Sequence, residues 1–446
     1  MNLNPWVAMM IVTLGLLALF SGLRTYQLRF SPHPELVRKL LHMIMGGITL
    51  SFPWLFNESW PVVVLASSTI IGLWILKSRQ ALRQQWGDVL HGVSRNSFGE
   101  MYFPAAVALL FVLADGNALL FCIPILILTL ADALAALIGV RYGQVQYKTS
   151  EGSKSLEGSL VFFTVTFLSV HIPLLLFSDV GRVESVLIAL TMGVLVMLFE
   201  AIAWRGLDNL FIPLGAFILL QTYLPMDAES LALRLIVLFL LLVGFFLIRR
   251  TTTLDGSAIL GLVLIAYVTW AVGGGVWLLA PCTVFLAYIL FNIQKGKHVG
   301  RAHSIQAVVC VCVPGLIILF LARGFEQPQL LYCYTLTYAV QLAIIGLARI
   351  KFNHSHINNR QVLLLAGLQG WGLLLIPWLV IALTMTAVYL ALLAGVIIML
   401  SAFIFLHWQP QMNDCPIDNA RWWRQGSVAI SAALLSTGPL YLVGGL

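Results

Sequence analysis

The chain has 446 residues, of which 60% are hydrophobic and 10% charged, with a mean hydropathy of +0.95 and a formal net charge of +7. That balance excludes a soluble globular domain of useful size and describes a polytopic helical membrane protein. The positive charge comes from Lys and Arg grouped in short loops, a topology signal rather than a nucleic-acid footprint, and the six cysteines form no CxxC pair and no Cys/His spacing that would suggest disulfides or structural zinc.

The expected fold is all-α, a transmembrane helical bundle. Roughly twenty apolar residues cross a bilayer, and counting such runs gives about sixteen spans in two halves, residues 1–226 and 227–446. The first, about Trp6 to Leu23, has no basic residue before it and no small-residue cleavage site, so it reads as a retained span. Arg24, Arg29, Arg38 and Lys39 follow it, which by the positive-inside rule puts that loop in the cytoplasm and the N-terminus outside. Alternate loops then stay basic, through Lys77, Arg141 with Lys148 and Lys154, Arg205, Arg249 with Arg250, Lys295 and Arg349 to Arg421 and Arg424. The loops between them are neutral or acidic, around Glu58, Asp115, Asp179, Asp227 and Glu326. One missed span would invert every later loop, so the alternation supports the count. It also gathers the candidate functional residues at one membrane face.

In chain order, Arg38, Lys39 and His42 open the second span, where they serve either as headgroup anchors with a satisfied histidine or as a phosphate-binding and proton-relaying group. Arg95 and Glu100 sit in RNSFGEMYFP; Glu100 is either a helix cap or a metal ligand, and the planar donors of Arg95 suit a phosphate. The sharpest stretch is Ala131 to Leu160. Asp132, Ala136, Gly139 and Gly143 fall at helical spacing, which places a carboxylate inside an apolar span beside small residues, and intramembrane acids default to functional candidates. Beyond it, Arg141, Lys148 and Lys154 supply charge, Gly139 and Gly143 allow close backbone approach, and Ser155, Glu157, Gly158 and Ser159 open a helix whose N-terminal amides favour an anion. A solvated basic loop explains the lysines but neither Asp132 nor the order KSLEGS. Glu200, the second intramembrane acid, lies two turns before Asp208 and Asn209; it either pairs with Arg205 or converges with Asp132 on a divalent cation.

Asp132, Ala135, Gly139, Arg141, Gly143 and the run Lys154 to Ser159 resemble the central signature of the CTP-dependent lipid-alcohol kinases, the family of dolichol kinase and phytol kinase. The basic pair with His42, the Arg95 to Pro104 segment, and the acid followed by Asp208, Asn209 and Pro213 are similar to that family's flanking motifs. The resemblance implies a kinase that moves the terminal phosphate of CTP to an isoprenoid alcohol such as phytol, dolichol or another polyprenol. It implies Arg38, Lys39, Arg95, Gly139, Arg141, Gly143, Lys148, Ser155, Gly158, Ser159, Asp208 and Asn209 around the nucleotide, and Mg²⁺ on Asp132, Glu157 and Glu200. Asp132, His42, Glu100, Lys154 and Glu157 are then expected to carry the chemistry, on the cytoplasmic side of a multi-pass protein whose partners are membrane lipid, alcohol and nucleotide. Nothing in the sequence indicates a homo-oligomer.

The second half changes character: of the eighteen acids only Asp227, Glu229, Asp255, Glu326, Asp414 and Asp418 fall there, all in loops. LDGSAILG from Leu254, GGGVW from Gly273 and the Arg301 to Val309 segment resemble the integral membrane family that includes phytyl-phosphate kinase. Where that family's acidic pair is expected, Tyr338 to Gly346 has no carboxylate. This half is expected to be a degenerate, kinase-like or lipid-holding domain. Trp422 and Trp423 beside Arg421 and Arg424 read as an interfacial segment. Two rival functions stand beside the kinase: a lipid-phosphate cytidylyltransferase, which shares an acid and a KxxEG arrangement but should carry later basic-acidic motifs not found here, and a transporter, which should place acids at mid-membrane in inverted repeats.

Overall fold

The computed structural model describes residues 4–32, 34–78, 98–149, 152–293, 303–354, 356–409 and 419–442. The fold is an all-α polytopic bundle. Among the described residues eleven helices are long and apolar enough to cross a membrane, and two shorter apolar helices join them.

The chain divides into two units, Met1–Phe239 and Leu240–Leu446. In the first, α1 (Pro5–Phe30), α2 (Pro34–Leu50), α3 (Trp60–Ser78) and α4 (Gly99–Ala114) lead into α5 (Ala118–Tyr142). After a short hairpin come α6 (Leu156–Phe177), α7 (Arg182–Ile202), α8 (Asp208–Tyr223) and α9 (Ala228–Ile248), inside which the division falls. Helices α5, α6, α7 and α8 pack in sequence, with α4 against α8 and α2 against α5.

Local chemistry sets the ends. Asn117 caps α5 through its side chain, just after Asp115 and Gly116 turn the chain with positive φ. Ser155 caps α6 by accepting from Gly158 N at 3.1 Å. Arg205 and Gly206 both take positive φ between α7 and α8, a tight reversal that brings Asp208 to a helix start within eight residues of Glu200. Within α5, Ile127–Ala131 forms a π-turn, which adds one residue to the helix immediately before Asp132.

The second unit holds α10 (Gly256–Gly273), α11 (Gly275–Ile293), α12 (Ile305–Gly324), α13 (Leu331–Asn353), α14 (Asn359–Ala382), α15 (Met385–Trp408) and α16 (Asn419–Leu442). Helix α13 is its axis, buried along most of its length and packed against α11, α12, α14, α15 and α16. Where an acid was expected, Gln341 is fully buried, donates to Cys310 O at 3.0 Å and accepts from Gln425 at 2.6 Å. Trp422 and Trp423 face different surroundings. Trp422 is buried against Ala307 and Cys310, with the His303 ring 5.4 Å away, while Trp423 is exposed. Adjacent helix positions point about 100° apart, so a Trp pair in sequence divides between core and surface.

Candidate active site

The site is built at the junction of α2, α5, the hairpin, α7 and the start of α8. One face of α2 carries Lys39, His42 and Gly46, spaced by three and four residues, and each meets the π-turn region of α5. Lys39 Nζ lies 2.6 Å from Asp132 Oδ2 and 3.4 Å from Asp132 O. His42 Nε2 is 3.2 Å from Leu128 O and 4.0 Å from Asp132 Oδ2, and the ring stands edge-on to Phe103. Gly46 faces Thr129 so closely that a Cβ would fall 2.0 Å from its hydroxyl. The Lys39 and Asp132 side chains are only 4% and 14% exposed, so two opposite charges sit together out of water, each compensating the other.

A second pair stands opposite. Lys154 Nζ is 2.7 Å from Glu200 Oε1 and also donates to Glu200 O. Burial disfavours the Lys154 ammonium, but the Glu200 carboxylate outweighs it and holds the amine above the ordinary lysine range. Asp208, half-buried at the first position of α8, lies in the electrostatic field of Asp132, Lys39 and Lys154 and so links the two pairs. His42 feels Asp132, Lys39 and Asp208 together. Asn209 donates to Gly99 O at 3.1 Å and ties α8 to the start of α4, where Glu100 is half-buried in the first turn.

The expected basic loop is a two-stranded antiparallel hairpin, β1 (Gln146–Thr149) and β2 (Gly152–Ser155), with Tyr147 paired directly to Lys154 and Lys148 to Ser153. Period-two alternation explains why Lys154 faces the site while Lys148 is exposed. Tyr147 Oη lies 2.8 Å from Ser159 Oγ, and Ser159 Oγ donates to Ser155 O at 3.2 Å.

Asp132, Lys39, His42, Lys154, Glu200 and Asp208 therefore come together. The carboxylates Asp132, Glu157 and Glu200 do not meet at one point. Glu157 turns back to accept from Val145 N at 3.2 Å, and Glu200 belongs to Lys154. Among the described residues no three His, Cys, Asp or Glu side chains gather closely enough to hold a metal alone. Arg38 is exposed yet within the field of Asp132; Arg141 is exposed with its guanidinium over the Tyr142 ring. Arg95 lies outside the described residues.

The glycines have a packing role. A Cβ on Gly143 would lie 2.3 Å from Gly139 O and 2.6 Å from Ser155 Cβ, and one on Gly158 would lie 3.0 Å from Ala135 O. Gly139 in the last turn of α5 and Gly143 just past its end keep a GxxxG spacing, the small-residue step that lets membrane helices approach. That spacing was visible in the sequence. Tyr147 was not singled out, and its signal is its place seven residues before Lys154 across a strand pair.

Among proteins of known function, the chain is 30% identical over 220 residues to the phytol kinase of Synechocystis sp., an alignment covering 48% of this chain and 92% of that protein. No family model and no solved structure matches the chain. The chain belongs to the phytol kinase family and is a multi-pass helical kinase.

Proposed function

We propose, from membership of the phytol kinase family, that this chain transfers the terminal phosphate of CTP to the hydroxyl of an isoprenoid alcohol, phytol, dolichol or another polyprenol. The observation that carries the reading is the linked pair of ion pairs, Lys39 with Asp132 and Lys154 with Glu200, bridged electrostatically by Asp208. Phosphoryl transfer depends on positioning and charge stabilisation more than on a strong base, and this cluster supplies two cations and three acids linked by the electrostatic field of Asp208. The alcohol oxygen attacks the terminal phosphorus, the bond to the bridging oxygen breaks, and the nucleoside diphosphate leaves. Lys154 and Lys39 are the cations able to meet phosphate oxygens, with Arg38, Arg141 and Lys148 around the mouth.

His42 is the group suited to take the hydroxyl proton. Its Nε2 donates to Leu128 O, since a carbonyl only accepts, which leaves Nδ1 as the basic nitrogen. Mg²⁺ is usually held by one or two carboxylates, with substrate phosphates and water completing its shell, and Asp132 and Asp208, which lie in one another's electrostatic field, are the carboxylates that would hold it. The ion would neutralise charge on the phosphates. The CTP donor rests on the family resemblance, and the cytoplasmic face on the alternation of basic loops. The second unit, with Gln341 at the centre of its axial helix where an acid was expected, serves as a degenerate or lipid-holding domain.

The test incubates membranes bearing the protein with Mg²⁺, a prenol, and CTP labelled at either the γ- or the α-phosphorus. Label in lipid only from the γ position is expected. Label only from the α position makes the chain a cytidylyltransferase, and label from neither returns the transporter reading.

A further inference from the structure

We propose that Tyr147 is a positioning residue, whose hydroxyl clamps the hairpin onto the first turn of α6 and so sets where the Lys154 ammonium stands. The direction of the hydrogen bonds follows from the inventory of protons. Ser159 has one hydroxyl proton and gives it to Ser155 O, so the 2.8 Å contact with Tyr147 is made by the tyrosine O–H donating to Ser159 Oγ. Ser155 in turn caps α6 through Gly158 N. A continuous chain of bonds thus runs from the tyrosine to the helix start.

The register explains why Lys154 feels it. Directly paired residues in an antiparallel ribbon project from the same face, and Tyr147 is the partner of Lys154. The phenol stands in the field of both Lys154 and Glu200, and burial beside that carboxylate raises its pKa above the usual tyrosine value, so it stays a proton donor at every working pH. A two-stranded ribbon is marginal by itself. This one is held by Leu156 N on Val145 O, Val145 N on Glu157, Lys154 on Glu200 and the tyrosine; Lys154 ties β2 to α7, and among the described residues the tyrosine is the β1 side chain that ties the ribbon to α6. Nothing in the KSLEGS motif reveals this, because the clamp lies on the opposite strand.

The inference rests on Lys154 acting in phosphoryl transfer, and its test separates the two. Tyr147→Phe keeps the ring and removes one hydrogen bond, so kcat is expected to fall about three- to tenfold while KM for CTP moves less than about twofold. In a Lys154→Ala background the same change should cost less than about twofold, because a residue acting through Lys154 has nothing left to position. Equal losses in both backgrounds, or no loss in either, overturn the proposal. A second arm needs no turnover: amine acylation read by mass spectrometry, with exposed Lys148 as internal reference, should label Lys154 faster in Tyr147→Phe than in the unmodified chain. Unchanged labelling overturns the clamp even if the kinase assay has failed, and faster labelling supports it in either case.

Discussion

Lys39 Nζ and Asp132 Oδ2, ninety-three positions apart in sequence, meet at 2.6 Å on the buried face between α2 and α5. The contact holds α2 to α5, and its structural part separates by mutation from the part proposed for it in transfer. Asp132→Asn should insert normally and lose transfer by at least about 100-fold, a loss of the order seen when one preorganised charge-stabilising group is removed. Label transfer from γ-labelled CTP to a prenol measures it, and wild-type rates in that variant would refute the assigned role.

Lys39→Met should be worse for folding than for inventory. It leaves the Asp132 carboxylate buried without its cation, a cost of about 3–5 kcal/mol when one partner of a buried pair is removed. The double variant Lys39→Met with Asp132→Asn should regain most of that stability and remain inactive. Thermal melting in detergent gives the first quantity and the lipid assay the second.

Gly143→Ala tests what the glycines are for. The added Cβ would strike Gly139 O and Ser155, so the α5 and α6 contact should open at a cost of about 1–3 kcal/mol. Melting should fall accordingly. A rise in KM for CTP with unchanged melting would instead mean that the backbone there approaches the nucleotide.

The Lys154 pair has a defined pH signature. Its folded pKa is raised by Glu200, so its stabilising contribution is complete below the unfolded lysine value of about 10.4 and is lost only as pH climbs through the higher folded value. The melting difference between wild type and Lys154→Met should stay flat from about pH 7 to 9.5. A difference that shrinks between pH 7 and 9 would show that the amine titrates early and that Glu200 does not hold its charge.

Much of this architecture was legible in the chain. The apolar runs and basic loops give the helices, Asp132 and Glu200 announce themselves as charges where charge is expensive, and Lys154 and Asp208 stand out through the loop motifs beside them. What hydropathy and spacing do not carry is pairing. Sequence can place Glu157 and Glu200 near Asp132, but only the hairpin's register sends Lys154 to Glu200 and turns Glu157 back onto Val145. The glycines illustrate the same limit: Gly139, Gly143 and Gly158 satisfy a nucleotide-loop pattern and a helix-packing pattern equally, and only the structure shows the close neighbours behind the second. Tyr147 escaped because a tyrosine in a short polar loop carries no anomaly of composition.

The π-turn at Ile127–Ala131 makes the helix one residue longer than its turns require. Everything after it is swung round by about 100° relative to what a regular helix from Ala118 would dictate. Side-chain exchanges at Ile127 or Leu128 leave that rotation intact, whereas deleting a single residue there would relax the spiral and carry the acid away from α2. The protein should therefore tolerate volume-conserving exchanges in this buried stretch and no shortening of it.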